Sequence, residues 1–100
     1  MKAERLTKEN VLAFLRKHKP FFKKKFDVDN IILFGSFARD EATPTSDIDI
    51  LIEATKKSFR SYADLTIFLE DNLKRKVDVI YKDSVNPFIL EYIEQEMIYA

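Results

Sequence analysis

The sequence predicts an α/β, or α+β, domain in which a small mixed sheet is covered by helices, and three observations predict it. Short runs at residues 31–34, 47–53 and 75–81 have the length and the β-branched content of strands. Longer stretches around them repeat apolar residues at helical spacing, so the order reads helix, strand, Gly-Ser turn, strand, helix, strand, helix. The third observation is length: 100 residues make one domain, 1–100, with a single core and no room for the several domains of a template-directed polymerase. Composition narrows the field further. Seventeen basic and seventeen acidic residues cancel, so no global basic field gathers nucleic acid, and a nucleic-acid partner would need a local patch. The absence of cysteine excludes disulfides and thiolate metal sites. No stretch approaches the roughly 18 apolar residues of a membrane span, and no signal-peptide core opens the chain, so a cytoplasmic protein is expected.

The first helix is predicted over residues 6–18, with Thr7 as its N-cap and Val11, Leu12 and Leu15 on its buried stripe; Pro20 is expected to end or kink it. Phe21, Phe22 and Phe26 surround Lys23, Lys24 and Lys25. With no net charge behind them, they read as a short helical segment with solvated lysines and core phenylalanines, in preference to a basic aromatic patch for RNA or a triphosphate. His18 is expected to make a helix-end dipole contact rather than to ligate a metal. Residues 27–30 form a turn before the strand 31–34, whose unbroken apolar run suits a strand covered on both faces. Residues 36–39 are long enough for one helical turn. The loop 40–46 is built of turn formers, with Ser46 bonding locally to set the entry of Asp47. Helix 59–73 places Tyr62, Leu65, Leu69 and Leu73 on one core stripe. The tail, 86–100, reads as a helix capped by Asn86 with Pro87 in its first turn. Its Ile89, Tyr92, Ile93, Glu96 and Met97 side either packs on the sheet or meets a partner, and Phe88 and Tyr99 remain for an interface.

The chemistry concentrates between Gly35 and Glu53. In a strand, Asp47 and Asp49 share a face about 6.5 to 7 Å apart, while Ile48, Ile50 and Ile52 take the core face. Two carboxylates so close ionise together comfortably only with a cation between them, and hard oxygen ligands suit magnesium carrying a phosphorylated ligand. Gly35 lets the backbone approach phosphates, the Ser36 hydroxyl adds a donor, and Arg39 either reaches the phosphates or, the preferred reading, ties down the following loop. Asp78 stands in a Val-Asp-Val strand on the face away from Val77 and Val79. It is costly to bury unless metal-bound or paired, with Lys76 as the plain alternative partner. If its strand lies beside that of Asp47 and Asp49, three carboxylates converge.

Gly35-Ser36, Arg39 and Ser46-Asp47-Ile48-Asp49 resemble the signature of the nucleotidyltransferase superfamily that includes DNA polymerase beta. In so short a chain, the run GSFARDEATPTSDIDILIE is similar to the minimal nucleotidyltransferases (MNT), many of them antitoxins paired with HEPN-domain toxins. The recognisable motifs span residues 28–82. The resemblance implies that Asp47, Asp49 and Asp78 are the catalytic, metal-binding residues for two magnesium ions, and that Gly35, Ser36 and Arg39 bind the nucleotide. It further implies ATP as donor, AMP as the transferred group and a tyrosine of a HEPN-type toxin as acceptor. One residue departs from the pattern, Asp40 in place of the usual glycine; aspartate tolerates a left-handed backbone better than most residues, so the turn is expected to survive. Two alternatives accompany this reading: an antitoxin that acts by occlusive binding, and transfer to a small-molecule hydroxyl.

Overall fold

A computed structural model describes residues 5–100. Helix α1 (Lys8–Phe26) starts where expected, with the Thr7 side chain accepting the Asn10 N–H at 3.1 Å. It does not stop at Pro20 but runs through it for six more residues, which corrects the predicted end. Pro20 deprives the Arg16 carbonyl of its helical donor, yet both residues are exposed, where water replaces the lost bond. Phe22 and Phe26, both buried, give the continued helix its hold on the core. His18 therefore lies in mid-helix, not at a helix end; its Nδ1–H donates to the Phe14 carbonyl at 2.9 Å and its ring packs against Phe14, Phe22 and Phe68. The helix closes at Asp27, which takes the left-handed conformation and donates its N–H to Phe22 and Lys23.

Strand β1 (Val28–Phe34) leads into α2 (Gly35–Ala38), a single turn, and the loop beyond it leads into β2 (Ile48–Ala54). Helix α3 (Phe59–Leu73) then crosses over to β3 (Val77–Tyr81), as a parallel connection requires. The tail departs from expectation: α4 (Pro87–Glu94) is short, and Ile98–Tyr99 form a fourth strand, β4. The outer edge of β1 would otherwise present unpaired backbone groups, and β4 covers it, with Ala100 N–H adding a bond to Ile31 at 3.0 Å. The sheet order is β3-β2-β1-β4, with β2 parallel to β3 and both other pairs antiparallel.

Side-chain parity sorts the two faces. Ile31, Leu33, Ile48, Ile50, Ile52, Val77 and Val79 form one core with Val11, Leu12, Leu15 and Phe22 of α1 and Leu65, Leu69 and Leu73 of α3. Tyr62 joins that core at its rim and donates its hydroxyl to the Val79 carbonyl at 2.6 Å. The opposite face carries the buried pair Ile32 and Leu51 and, at the α2 end of the strands, Asp49 and Asp78. None of the residues of α4 is buried, and Phe88 and Tyr92 are 80% and 78% exposed. Among the described residues no helix is long and apolar enough to cross a membrane.

Candidate active site

Asp49 is the centre of the site because three elements meet at it. In the sheet it lies between Phe34, the last residue of β1, and Asp78 of β3, its register partner in the parallel ladder. Asp47 stands just ahead of β2, and its carboxylate shares a cation with that of Asp78: Lys76 Nζ lies 3.8 Å from Asp47 and 3.4 Å from Asp78. The three carboxylates singled out in the sequence thus gather at one end of the sheet, and Lys76 meets Asp78 as the plain alternative foresaw.

Gly35 is the third neighbour of Asp49. Its φ is +79°, and a Cβ built on it would overlap the Asp49 carboxylate, standing only 2.9 Å from Cγ. Glycine is required here twice over, by the backbone conformation and by the close approach of the carboxylate. The turn that follows is held from several sides. Asp40 adopts φ +62°, as expected of an aspartate standing for glycine, and the Glu41 N–H returns to the Ser36 carbonyl at 2.8 Å. Ser46 Oγ accepts the Thr43 N–H at 2.8 Å, and Arg75 donates to the Thr43 and Ser46 carbonyls at 3.2 and 2.8 Å, so the chain enters β2 from a fixed direction. Ser36 is half-buried at the second position of α2.

Arg39 ties down the loop through Nε to Glu41 at 2.9 Å and, through Nη1, reaches Glu96 at 2.9 Å. Glu96 also accepts the Gly35 N–H at 2.7 Å. No local pattern announces this role: on a continuous tail helix Glu96 falls among Ile89, Tyr92 and Ile93, and only the early end of α4 turns it back toward Gly35.

The electrostatics of the cluster are those of a place short of positive charge. Burial first, then Asp78 and Asp47, push the Asp49 carboxyl above its ordinary range, with Glu96 adding to the effect and Arg39 opposing it. The same acids raise the Lys76 ammonium, Asp78 most of all. Among the described residues no three acidic or imidazole groups are already drawn into a closed metal cluster. The donor set nonetheless fits a hard divalent cation: it is all carboxylate oxygen, and one member is held partly out of water beside two like charges.

Comparison with known proteins bears on the family and the fold. The nucleotidyltransferase domain family matches residues 15–100. The chain is 44% identical over 98 residues to the Methanocaldococcus jannaschii protein MJ1379, whose name assigns it provisionally to the protein adenylyltransferases; the match covers 94% of this chain and 98% of the relative. It is 34% identical over 96 residues to the protein adenylyltransferase MntA of Thermococcus cleftensis, covering 95% and 97%. A solved minimal nucleotidyltransferase superposes with a TM-score of 0.80 at 25% identity, over 96% of this chain and 98% of that one. The MNT antitoxin bound to a tri-AMPylated HEPN toxin of Shewanella oneidensis shares the fold, with a TM-score of 0.58 at 20% identity over 92% and 66%.

Proposed function

We propose, starting from the fact that this chain belongs to the nucleotidyltransferase domain family, that it is the cytoplasmic antitoxin of a toxin–antitoxin pair, a single domain that adenylylates a HEPN-type partner. It moves AMP from ATP to a tyrosine hydroxyl of that partner and releases pyrophosphate. The observation that carries the reading is the alignment of Asp49 with Asp78, with Asp47 sharing the cation of Asp78 and the side-chain-free Gly35 against Asp49. Relatives across nearly the whole chain are named as protein adenylyltransferases, and the fold recurs in an antitoxin whose toxin carries AMP.

Asp47, Asp49 and Asp78 would hold magnesium, two ions in all. Bound there, magnesium neutralises triphosphate charge and makes the acceptor hydroxyl easier to deprotonate. The chain's own groups do the rest. Gly35 lets the Asp49 carboxylate lie against the backbone of the turn, and the Gly35 backbone, the Ser36 hydroxyl and the Arg39 guanidinium orient the β and γ groups. The tyrosine oxygen attacks the α-phosphorus as the bond to the β-phosphate oxygen breaks, and the phenolic proton passes toward the carboxylates. Asp78, half-exposed on the edge strand β3, faces the side from which an acceptor can enter. The uncovered α4 surface of Phe88, Ile89 and Tyr92 supplies an apolar face for the partner. That face alone would also serve occlusive binding, so the two must be separated. In cells expressing the toxin, the wild type is expected to restore growth and Asp47→Ala/Asp49→Ala to fail; equal rescue by both would overturn enzymatic neutralisation.

A further inference from the structure

Glu96 makes contacts that the transfer chemistry does not require. Its Oε2 accepts the Gly35 N–H at 2.7 Å and its Oε1 accepts Arg39 Nη1 at 2.9 Å, so one carboxylate engages two of the groups read as nucleotide contacts. A backbone N–H and a guanidinium converging on one anionic group form the arrangement by which proteins bind phosphate oxygens. Arg39 is engaged a second time, since Nε donates to Glu41 at 2.9 Å. Two carboxylates thus neutralise the guanidinium and hold its Nε and Nη1, so a phosphate that takes Nη1 together with the Gly35 N–H must displace Glu96. Glu96 is the better placed of the two to compete with a phosphate, because it alone also holds the Gly35 N–H.

Resting on the transferase reading above, we propose that Glu96 is an internal latch on the triphosphate site: its carboxylate occupies Gly35 and Arg39 in the nucleotide-free protein and swings off when phosphate oxygens replace it. The swing needs only rotation of the side chain, because the backbone beyond Glu96 is anchored independently. Ala100 N–H bonds Ile31 at 3.0 Å, Lys19 Nζ bonds the Ala100 carbonyl at 2.8 Å, and Ile98 and Tyr99 pair with Leu33 and Ile32 of β1. While engaged, Glu96 neutralises Arg39 and adds a negative charge beside Asp49. A bare anion therefore meets repulsion, whereas a polyphosphate that arrives with its metal brings both the compensating charge and enough oxygens to replace one carboxylate. The latched fraction lowers apparent nucleotide affinity by the fraction of molecules that are open.

Gly35 is the only glycine of the chain, so a glycine-labelled sample reports the latch through a single amide resonance. The probe is magnesium with AMP-PNP, a non-hydrolysable ATP analogue, titrated into the wild type and into Glu96→Gln. In the wild type the Gly35 resonance is expected to move as Glu96 hands its N–H to the ligand. Glu96→Gln, which keeps the shape and loses the charge, is expected to bind the probe roughly 3- to 10-fold more tightly. A purely structural Glu96 predicts the opposite sign, looser binding. The latch is overturned if the wild type saturates while Gly35 stays still, or if a folded Glu96→Gln binds no more tightly; should that variant not fold, the wild-type resonance decides alone. Failure of both proteins to take up the nucleotide would instead remove the transferase reading, and the latch with it.

Discussion

At Asp49 the fold accepts an unfavourable charge, and the consequence has a sign. Burial and two neighbouring aspartates raise its carboxyl in the folded protein above the unfolded value, so the native form binds the extra proton. Stability from this group is therefore complete below the unfolded value, about 3.9, and is lost as pH rises through the raised folded value. Asp49→Asn is expected to melt higher than the wild type at pH 7, with the gap closing as pH falls toward 4; thermal melts across that range check it, and a lower melting point at pH 7 would contradict the account. Added magnesium should stabilise the wild type and leave the variant unmoved. Gly35→Ala meets both a positive φ and the Asp49 carboxylate, and should cost about 1–3 kcal/mol in chemical denaturation together with most of the activity. The carboxylates and Gly35 were legible because strand parity is a property of the local chain and a lone aspartate in an apolar strand is costly. Glu96 was not, since its role depends on where a distant turn brings it back.

Among the elements, α1 shows how tertiary packing overrides a local signal. Pro20 reads as a helix end, and would be one in isolation, yet Phe22 and Phe26 recover enough burial to carry the helix past it. Pro20→Ala should restore the bond to the Arg16 carbonyl and stabilise the protein by about 2 kcal/mol, the helix gain less the entropy that proline removes from the unfolded chain. Urea unfolding measures this directly, and no gain would mean that the helix is already adapted to the ring. The tail failed as a prediction for the converse reason. Its helical spacing continues past Glu94, but the free edge of β1 recruits Ile98 and Tyr99, and a sheet edge is not visible in the residues that will cover it. What remains of α4 is a short helix with Phe88, Ile89 and Tyr92 outward. Phe88→Ser/Tyr92→Ser should leave the melting temperature nearly unchanged while weakening the partner complex by at least about tenfold, as expected of exposed aromatic anchors. Calorimetry of the complex would show it.

Across the whole molecule, one sheet divides its faces: the helix-covered face supplies the core, and one end of the other face carries the acidic cluster. The order of elements up to β3 was legible because apolar periodicity fixed each one, and α3 forced β2 and β3 to run parallel. That parallel register is what sets Asp49 beside Asp78. The neutral total charge conceals a local imbalance: among the described residues Asp47, Asp78, Glu41 and Glu96 share Arg39 and Lys76 as their cations, and Asp49 stands among them without an ion pair. Such a cluster is ready for a divalent cation and poor at holding anything anionic without one. The most direct test of the proposed transfer is the intact mass of the proposed HEPN-type partner after incubation with this protein, magnesium and ATP, run beside Asp47→Ala/Asp49→Ala. One or more added adenylyl units with the wild type, and a fall of about 10³-fold or more in their rate with the variant, is the predicted result. An unchanged mass with folded wild-type protein, or equal modification by the variant, would contradict it.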